Sequence, residues 1–541
     1  IEELNTALCN NAHGILPIVT KHEEGAAFMA DGYARVSGRL GVCYATSGPG
    51  ATNLITGLIS SYVDQIPVLA LTGQVATSMF GKGAFQESGS EWINLSQIFS
   101  NFTKYSSMLI SEDCAQNTLL KAIRLALNSP GGPAHINMPV DIMKRHVQLQ
   151  EINLANIGNT HLFDVEQVDK AVKLLAKARH PAIIAGWGTY LSQAMPELRQ
   201  LAELLQIPVA TTPKAKGVFP ESHELSLGVL GFAGSPIAKE YIIDNEVDVL
   251  FAVGTGFSEM MTNGWDKQLQ PSEHLVHLDI NIEKIGKNYP VSHPILGDPK
   301  INLERIIQTA KTITHKIDRT VQRNNHLQNL QQRKTEKKIF KSRDNLYHPA
   351  QLMFDIQKFF PQKSLFFADI GTSMAWAIRY MTIDQPGTFF VSLGYGSMGY
   401  AVAASVGGCL AAPDRPVVVM VGDGSFLMNG FEVATAVNYN IPVVWVVLNN
   451  AMLGMIYHGR RLVKEAVPEV MKTRFKRVDY AQIAEGLGAR GIHVDATHPL
   501  SAAMVEEILT AQEPTVLDVW IDDQAVPPIH SRIKTMDIHF S

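Results

Sequence analysis

The sequence predicts an α/β protein of three doubly wound parallel-sheet domains. With 541 residues, 46% of them hydrophobic, the chain is long enough for about three domains of ~150 residues each. One pattern also occurs three times: an apolar strand, a glycine-bearing turn, a helix, and an Ile-Pro-Val entry into the next strand. Strands that alternate with helices in this way are typical of parallel sheets.

The three repeats lie far apart along the chain, which assigns one sheet to each domain. Ligands of such sheets bind at the carboxyl ends of the strands, although a sheet need not hold one. The turns and the strand entries that follow them are residues 46–50 and 66–68, 185–188 and 207–209, and 422–424 and 441–443.

Composition indicates where the domains end. The segment 148–160 is polar and aperiodic, so a first domain is expected at residues 1–150 and a middle domain at 160–310. Residues 311–345 are highly charged and Gln-rich, which predicts a linker, and the last domain then covers 346–541. The chain opens on a predicted helix with no strand before it, so we expect the first domain to lack its N-terminal strand.

Charge and hydropathy favour small molecules as partners. A net charge of -5 leaves no basic face for nucleic acid, and no run of 18 apolar residues predicts a membrane span. The four cysteines show no C-x-x-C spacing, which argues against disulfides and zinc sites. A reducing, cytoplasmic location is therefore expected.

The first domain contains a predicted helix over residues 21–35, after a predicted strand at 16–20. An acidic residue in the first turn of a helix is ordinarily a capping or dipole feature, and the residues alone favour that role for Glu23. A second strand is predicted over residues 134–142, just before the end of this domain.

The most informative stretch begins with a predicted buried strand at residues 417–420, which runs into Gly422-Asp423-Gly424. A helix is predicted from Ser425, and a second buried strand ends at Asn449-Asn450. Glycine amides at a helix N-terminus favour phosphate. The side chains of Asp423 and Asn450 then follow neighbouring strands and offer the oxygen ligands that Mg²⁺ prefers.

These motifs resemble a known family. The Gly-Asp-Gly turn and the Asn-Asn pair, with 24 residues between them, are similar to the signature of the thiamine diphosphate (ThDP) enzymes. Residues 21–35, KHEEGAAFMADGYAR, resemble the acetolactate (acetohydroxyacid) synthase branch, as do residues 46–58, 71–87 and 102–105. The resemblance covers nearly the whole chain and implies a pyrimidine-binding first domain, a middle domain and a diphosphate-binding last domain.

The resemblance implies four catalytic residues in the first domain. Glu23 would bond N1′ of the ThDP pyrimidine, while Phe85, Gln86 and Lys104 would border the active site. A protonated carboxyl at N1′ lets the cofactor remove its own C2 proton, and apolar burial would raise the pKa of Glu23 for that purpose. Without the resemblance, core packing is favoured for Phe85 and an exposed strand-end charge for Lys104.

The last domain is implied to hold the diphosphate and a Mg²⁺ ion. Asp423, Asn450 and the carbonyl of Met452 would bind the metal. The Gly396 carbonyl would accept from the 4′-amino group, and Met398 would bend the cofactor, where a gap-filling core role is the alternative. The cofactor-binding residues implied are Gly371, Thr372, Ser373, Gly396, Ser397, Met398, Gly422, Asp423, Gly424, Ser425, Asn450, Met452, Leu453, Gly454 and Met455.

The chain also differs from FAD-binding acetohydroxyacid synthases at several positions. Residues 256–260 read Gly-Phe-Ser-Glu-Met where those enzymes carry Arg-Phe-Asp-Asp-Arg, and Gly459 replaces a tryptophan. FAD is therefore doubtful, and because the second arginine helps to hold the acceptor keto acid, the acceptor side is expected to be unusual. Candidates for binding an acceptor carboxylate are His458, Arg460, Arg461 and Lys82.

The sequence is interpreted as a ThDP- and Mg²⁺-dependent enzyme that decarboxylates a 2-keto acid, pyruvate, and joins the enamine to a second carbonyl. A simple decarboxylase is one alternative. A nicotinamide-dependent dehydrogenase is another, suggested by residues 253–259 and Asp279, although Glu259 replaces the third glycine of that fingerprint.

Assembly into a homodimer or homotetramer is expected, because in similar enzymes two subunits hold the two ends of one ThDP. Whether a regulatory subunit exists is left open. Apolar residues beside the glycine-rich turns are expected to need cover from a partner, with packing inside the chain as the alternative for each; they are Ile55, Leu58, Tyr400 and Val402.

Overall fold

A computed structural model shows three separate sheets in which every strand pairs with its neighbours in parallel. The prediction of three parallel-sheet α/β domains is therefore confirmed. The predicted boundary at 148–160 and most of the predicted linker at 311–345 lie outside the described residues. The structure describes residues 1–9, 14–147, 165–313, 340–463 and 471–530.

The strand orders are β1-β2-β4-β3, β10-β9-β8-β5-β6-β7 and β12-β11-β13-β14-β16-β15. The strands are β1 Gly41–Ala45, β2 Val68–Gln74, β3 Tyr105–Met108, β4 Ala134–Pro139, β5 Ala182–Ala185, β6 Val209–Thr211, β7 Ser226–Val229, β8 Val249–Val253, β9 His274–Asp279, β10 His293–Leu296, β11 Leu365–Ala368, β12 Phe389–Phe390, β13 Val417–Gly422, β14 Val443–Asn449, β15 Arg490–Val494 and β16 Thr515–Trp520.

Helices connect the strands, as parallel neighbours require. The α-helices are Glu2–Leu8, Glu23–Ser37, Pro49–Asn53, Ile55–Asp64, Leu95–Ser100, Ala115–Leu127 and Val140–Met143 around the first sheet; Val165–Lys177, Trp187–Leu191, Met195–Leu205, Pro236–Lys239, Glu259–Thr262 and Pro299–Ile313 around the second; and Pro349–Phe359, Thr372–Tyr380, Tyr400–Ala411, Asp423–Asn429, Glu432–Asn438, Gly454–Leu462, Tyr480–Gly486 and Ala502–Ala511 around the third. No helix in the described part of the chain is long and apolar enough to cross a membrane.

The three Ile-Pro-Val entries open strands as predicted. β2, β6 and β14 begin at Val68, Val209 and Val443, directly after the proline. Proline has no N–H for the ladder, so it is tolerated just before a strand and not within a central one. Every residue of β14 is buried, which is typical of a parallel strand covered on both faces.

Residues 16–20 do not form the predicted strand. Their apolar, β-branched sequence favours a strand, but side chains of the last domain satisfy the nearby backbone instead of a sheet. The hydroxyl of Tyr439 accepts from the Val19 N–H at 2.9 Å, and the carboxylate of Glu432 accepts from the N–H groups of Lys21 and His22. Tertiary contacts therefore override the local propensity.

Two further elements are shorter than predicted. β4 ends at Pro139, and the rest of the predicted strand is the helix Val140–Met143, because proline donates no ladder bond. The helix after the Gly-Asp-Gly turn ends at Asn429, and a second helix follows from Glu432. Gly430 lies at the break, where a Cβ atom would lie 2.7 Å from the carbonyl oxygen of Phe426.

Two helices hold the first and last domains in close contact. Glu23–Ser37 crosses Tyr400–Ala411 with glycines at the crossing. A Cβ atom on Gly32 would lie 1.9 Å from the Ala404 carbonyl oxygen, and one on Gly407 would lie 1.9 Å from that of Met29. Only glycine permits this approach, so the crossing fixes how the two domains pack.

A buried carboxylate joins all three domains. Asp64 accepts from Arg35 of its own domain at 3.0 Å, from Lys214 of the middle domain at 2.7 Å and from Ser392 of the last domain at 3.1 Å. The indole N–H of Trp187 donates to the Asp64 backbone carbonyl. Charges so far from water interact strongly, so this group couples the three domains.

Intrachain packing covers most of the residues predicted to need a partner. Leu58, Tyr400 and Val402 are buried inside the single chain, and Ile55 is half-buried against the same core. For Leu58, Tyr400 and Val402 the prediction that a partner must cover them is wrong, because packing between the first and last domains already removes them from water.

Candidate active site

Three turns meet at the carboxyl edge of the last sheet. β11, β13 and β14 are adjacent strands, and residues 369–373, 422–425 and 450–455 follow them. A Cβ atom on Gly454 would lie 3.2 Å from Thr372 Oγ1, and one on Gly424 would lie 2.9 Å from Leu453 Cδ2. The fold therefore brings together motifs that lie about 80 residues apart in the chain.

Asp423 is the buried centre of this edge. Its Oδ1 accepts from the Gly424 N–H at 2.8 Å, and its Oδ2 accepts from the N–H groups of Asn450 at 3.0 Å and Ala451 at 2.6 Å. Burial raises the pKa of Asp423 to about 6 although these backbone bonds oppose the rise. A buried carboxylate at a strand end fits a divalent cation, which would favour the charged form.

The two asparagines at the end of β14 have different surroundings. Asn449 is buried and donates to the carbonyl of Val478 and to Asp518 at 2.8 Å, so it packs the sheet. Within the described ranges the Asn450 side chain makes no such bond, and its amide nitrogen lies 3.6 Å from where a Cβ atom of Gly454 would be. An amide oxygen beside Asp423 completes an oxygen donor set of the kind that Mg²⁺ takes.

The remaining residues of this turn lie beside that donor set. Met452 is buried and forms a β-bridge with Arg474, and the Leu453 N–H donates to the Thr473 carbonyl at 2.8 Å. Met455 packs against the core of the last domain. The backbone is therefore held firmly at the position where the Met452 carbonyl is predicted to bind metal.

Two serine hydroxyl groups near the predicted diphosphate turn already have protein partners. Ser373 donates to the Asp369 carbonyl at 3.0 Å and Ser425 donates to the Ile370 carbonyl at 3.1 Å. Any phosphate at this turn would then meet backbone N–H groups at the start of the helix Thr372–Tyr380.

Three glycines of the predicted cofactor set border open space. Gly371, with φ of +138°, and Gly396, with φ of +80°, adopt conformations that favour glycine. A Cβ atom on either residue, or on Gly422, would have no heavy atom within 4 Å. Because these glycines have no side chains, a ligand can approach their backbone closely. Such open backbone fits a diphosphate cofactor.

Asp369, which the sequence analysis missed, fixes the turn that carries Gly396, Ser397 and Met398. Its carboxylate accepts from the N–H groups of Gly399 at 3.0 Å and Ala401 at 2.7 Å. Burial raises the pKa of Asp369 to about 6. The one sequence signal was an aspartate directly after a buried strand, within the stretch FADIG.

The same turn also touches the first domain. The hydroxyl groups of Ser397 and Ser60 lie 3.1 Å apart, and a Cβ atom on Gly394 would lie 2.4 Å from Asp64 Oδ1. Met398 is half-buried. The Asp64 carboxylate, which joins the three domains, therefore also lies against the predicted cofactor turn.

Glu23 begins the helix Glu23–Ser37, and its carboxylate faces the first-domain turn at residues 46–50. Its Oε2 accepts from Asn53 Nδ2 at 3.0 Å, and its Oε1 lies 3.2 Å from where a Cβ atom of Gly50 would be. Gln86 reaches the same turn, with its Oε1 3.5 Å from Ser47 Oγ. Glu23 and Gln86 thus converge although 62 residues separate them.

Glu432, also missed from the sequence, anchors the start of this helix. Its buried carboxylate accepts from the N–H groups of Lys21 and His22 and from the hydroxyl of Thr435. The last domain therefore sets the position of the backbone that carries Glu23. A buried glutamate inside a predicted helix carries no local signal for such a role.

Phe85 and Lys104 are not brought against these residues by any described contact. Phe85 is 86% exposed. The Lys104 ammonium donates to the carbonyl oxygens of Asn128 and Pro130, and burial lowers its pKa. Their place at the active site stays a prediction.

The acceptor candidates differ in character. His458 is buried, and burial lowers its pKa to about 4, so it carries no charge for a carboxylate near neutral pH. Arg461 donates to Gln524 at 3.2 Å and lies over the Tyr457 ring. The structure gives none of the four candidates a described contact with Asp423 or Glu23.

The turn after β8 does not have the structure of a dinucleotide-binding site. Gly254 follows β8 but packs against the turn after β5, where its Cβ atom would lie 2.6 Å from the Thr189 N–H nitrogen. The next helix, Glu259–Thr262, has four residues. A pyrophosphate needs open backbone at the start of a helix, so the dehydrogenase interpretation is wrong.

Comparison with protein families agrees with this arrangement. The N-terminal TPP binding domain of thiamine pyrophosphate enzymes matches residues 2–91, their central domain matches 168–306 and their C-terminal TPP binding domain matches 369–519. Fold and site together define a thiamine pyrophosphate-dependent enzyme.

Individual relatives indicate which family of thiamine pyrophosphate enzymes the chain resembles. A probable acetolactate synthase large subunit of Methanococcus aeolicus is 33% identical over 95% of this chain and 88% of its own length. The probable large subunit of Methanocaldococcus jannaschii is 33% identical over 95% and 87%, and the acetolactate synthase large subunit of Corynebacterium glutamicum 31% identical over 97% and 84%. The chain belongs to the acetolactate synthase large-subunit family.

Proposed function

We propose that this acetolactate synthase-like enzyme converts two molecules of pyruvate and one proton into acetolactate and CO₂, with Mg²⁺ as its metal. The observation that carries the proposal is the meeting of Asp423, Asn450 and the open glycine turns at three adjacent strand ends. Bound ThDP would supply the electron sink that lets the carboxyl group of a 2-keto acid leave as CO₂.

Asp423, Asn450 and the Met452 carbonyl would hold the metal. Supporting this role, Asp423 is only 2% exposed and bonds the backbone N–H of Asn450 at 3.0 Å. An ionised carboxylate here would balance part of the positive charge of a cation that also binds the diphosphate. The backbone N–H groups at residues 371–373 would meet the phosphate oxygens.

Glu23 would present a proton to the pyrimidine nitrogen N1′, with Asn53 orienting the carboxyl group. Gln86 would lie on the same side of the substrate, since it shares the turn at residues 46–50 with Glu23. A general acid placed in this way is worth roughly 10²–10⁴ in rate. Catalysis would then depend on a carboxyl group that the last domain positions through Glu432.

A second copy of the chain would complete the site. Supporting the assembly, large apolar side chains beside the site motifs stay exposed in the single chain: Phe85 by 86%, Leu427 by 49%, Met428 by 56% and Phe431 by 69%. Three of them, Leu427, Met428 and Phe431, lie within five residues of one another, and clustered exposed apolar side chains are typical of interfaces. An isologous two-fold contact would give two equivalent sites.

Product analysis tests the proposal. The holoenzyme is incubated with pyruvate alone and then with pyruvate plus other carbonyl acceptors, and products are identified by NMR. Acetolactate and CO₂ in equal amounts are expected from pyruvate alone. Acetaldehyde as the sole product would establish the simple decarboxylase instead, and no consumption of pyruvate in the presence of ThDP and Mg²⁺ would refute both.

A further inference from the structure

Asp518 is a buried carboxylate on β16, the strand that pairs with β14. Its Oδ1 accepts from Asn449 Nδ2 at 2.8 Å, and its Oδ2 accepts from the backbone N–H of Tyr480 at 3.1 Å. Burial raises the pKa of Asp518, and both hydrogen bonds oppose the rise because they favour the charged form. The two oxygens therefore hold two separate segments of the chain.

The bond to Asn449 fixes the end of β14. Asn449 also donates to the carbonyl of Val478 at 2.9 Å, so both hydrogens of its amide group are engaged. The next residue, Asn450, is a predicted metal ligand, and its backbone N–H donates to the Asp423 carboxylate at 3.0 Å. The position of Asn449 therefore limits where Asn450 can lie relative to Asp423.

The bond to Tyr480 leads to the other side of the predicted metal site. Tyr480 is buried, and its hydroxyl donates to the backbone carbonyl of Asp423 at 3.1 Å. Its ring also meets the ring of Phe426 edge to face, with 5.5 Å between the centroids, in the helix Asp423–Asn429. Tyr480 therefore links Asp518 to the backbone of Asp423.

We propose that Asp518 is a positioning residue of the predicted metal site. Through Tyr480 it holds Asp423 in place, and through Asn449 it holds Asn450. The proposal rests on the assignment of Asp423 and Asn450 as metal ligands in the proposed function. Groups behind the ligands of a metal orient those ligands, and their loss typically weakens metal affinity by roughly 10–100-fold.

The charged neighbours of Asp518 do not account for this link. His493 Nδ1 lies 3.6 Å from Asp518 Oδ2, and Asp479 Oδ1 lies 3.4 Å from His493 Nε2. Both side chains are about half exposed, so water screens their charges. The two buried hydrogen bonds of Asp518 carry the connection to the metal site instead.

Binding of Mn²⁺ to the enzyme in the presence of ThDP, followed by electron paramagnetic resonance, tests this role. Mn²⁺ takes the same oxygen ligands as Mg²⁺, and its signal depends on the symmetry of those ligands. Asp518→Asn should weaken Mn²⁺ binding by roughly 10–100-fold and change the signal of the bound ion, because an amide would turn its own NH₂ toward one of the two donors. Tyr480→Phe loses only the hydroxyl and should weaken Mn²⁺ binding by about tenfold.

Tyr347→Phe is the matched control. Tyr347 is also buried in the last domain, and its hydroxyl donates to a carboxylate, that of Asp355, at 2.6 Å, but no described contact joins it to Asp423. Its Mn²⁺ affinity and signal should match those of the wild type within twofold. Thermal unfolding shows which variants are folded, and Tyr480→Phe decides alone if Asp518→Asn does not fold.

The outcomes separate this role of Asp518 from the metal site itself. A wild type that binds no Mn²⁺ with ThDP, or an Asp423→Ala variant that binds it normally, would overturn the metal site and the positioning role together. Wild-type binding that depends on Asp423, combined with unchanged affinity and signal in the folded Tyr480→Phe and Asp518→Asn proteins, would overturn the positioning role alone. A purely structural Asp518 would lower thermal stability and leave the Mn²⁺ signal as it is.

Discussion

Asp423 and Glu23 are the two carboxyl groups on which the chemistry depends, and their surroundings differ. Backbone N–H groups of four residues bond Asp423, whereas the described partner of the Glu23 carboxylate is one amide, Asn53. A carboxylate held by N–H groups and placed beside a diphosphate is suited to bind metal. A carboxyl with one weak partner keeps the freedom to exchange a proton.

Replacement of Asp423 by alanine is expected to abolish Mg²⁺-dependent ThDP binding. The change removes the single charged ligand and leaves the metal with neutral protein oxygens against two phosphate groups. Isothermal titration with ThDP in the presence of Mg²⁺ measures the loss. Asp414→Ala, at an exposed aspartate of the same domain, should bind normally, and near-normal affinity in Asp423→Ala would rule out this metal site.

Replacement of Glu23 by glutamine is expected to preserve ThDP binding and remove most activity. An amide can donate a hydrogen bond to N1′ but cannot pass a proton, so exchange of the cofactor C2 proton should slow by roughly 10²–10⁴. NMR of the bound cofactor measures that exchange. Glu24→Gln, one residue along, is the control, and unchanged exchange in Glu23→Gln would mean that another acid serves the cofactor.

Among the elements of the fold, the turn from Ser392 to Ala401 has the most demanding structure. It holds two glycines with positive φ, Gly396 and Gly399, and is tied by Asp369 on one side and Asp64 on the other. Neither carboxylate contacts the predicted metal ligands directly. Both are expected to act on the cofactor by holding the turn in place.

Asp369→Asn is expected to weaken ThDP binding by roughly tenfold or more. The two oxygens of Asp369 accept from two N–H groups, and an amide would turn its own NH₂ toward one of those donors. An unsatisfied buried donor costs about 1–3 kcal/mol. Titration calorimetry with ThDP is the measurement.

Asp355→Asn is the control for that variant, since Asp355 accepts from Tyr347 and Gln351 in the same domain but lies outside the turn. Thermal unfolding of both variants shows whether a change is local. Unchanged ThDP affinity in a folded Asp369→Asn protein would show that the turn does not depend on this carboxylate.

At the scale of the whole molecule, the buried contacts of Asp64 with Arg35, Lys214 and Ser392 predict that the stability of the protein depends on pH. Burial would raise the pKa of Asp64, but Lys214 and Arg35 outweigh it and the pKa is lowered. Because the folded-state pKa lies below the unfolded value of about 3.9, the stabilisation is present above that pH and is lost as pH falls through the folded pKa. Asp64→Asn should remove this dependence.

The Asp64→Asn variant should also unfold at a lower temperature near neutral pH, because Lys214 loses its anionic partner and Arg35 keeps only Asp31 of its two. Breaking a buried pair costs about 3–5 kcal/mol. Calorimetric scans between pH 3 and pH 7 measure both effects. Glu166→Gln, which breaks the exposed pair with Lys170, is the control and should have a transition within error of the wild type. Parallel pH profiles for wild type and Asp64→Asn would contradict the assignment.

Assembly is the second prediction at this scale. If two subunits share each site, Glu23→Gln and Asp423→Ala chains should complement each other. A hybrid dimer carries both changes at one site and leaves the other intact. Two inactive preparations should therefore regain up to about half of the wild-type activity per hybrid after dissociation and reassociation. Verified hybrids that stay inactive would exclude a shared site.

The sequence alone determined the three parallel-sheet domains, the strand entries at Val68, Val209 and Val443, and the motifs around Asp423 and Asn450. Each of these depends on a pattern within about 30 residues: hydrophobic period, turn glycines, and a proline before a strand. The tertiary structure alone decided that residues 16–20 form no strand and that Asp64, Asp369 and Glu432 hold the site. Such contacts join residues up to 420 positions apart, and no local pattern encodes which distant groups will satisfy a buried charge or N–H.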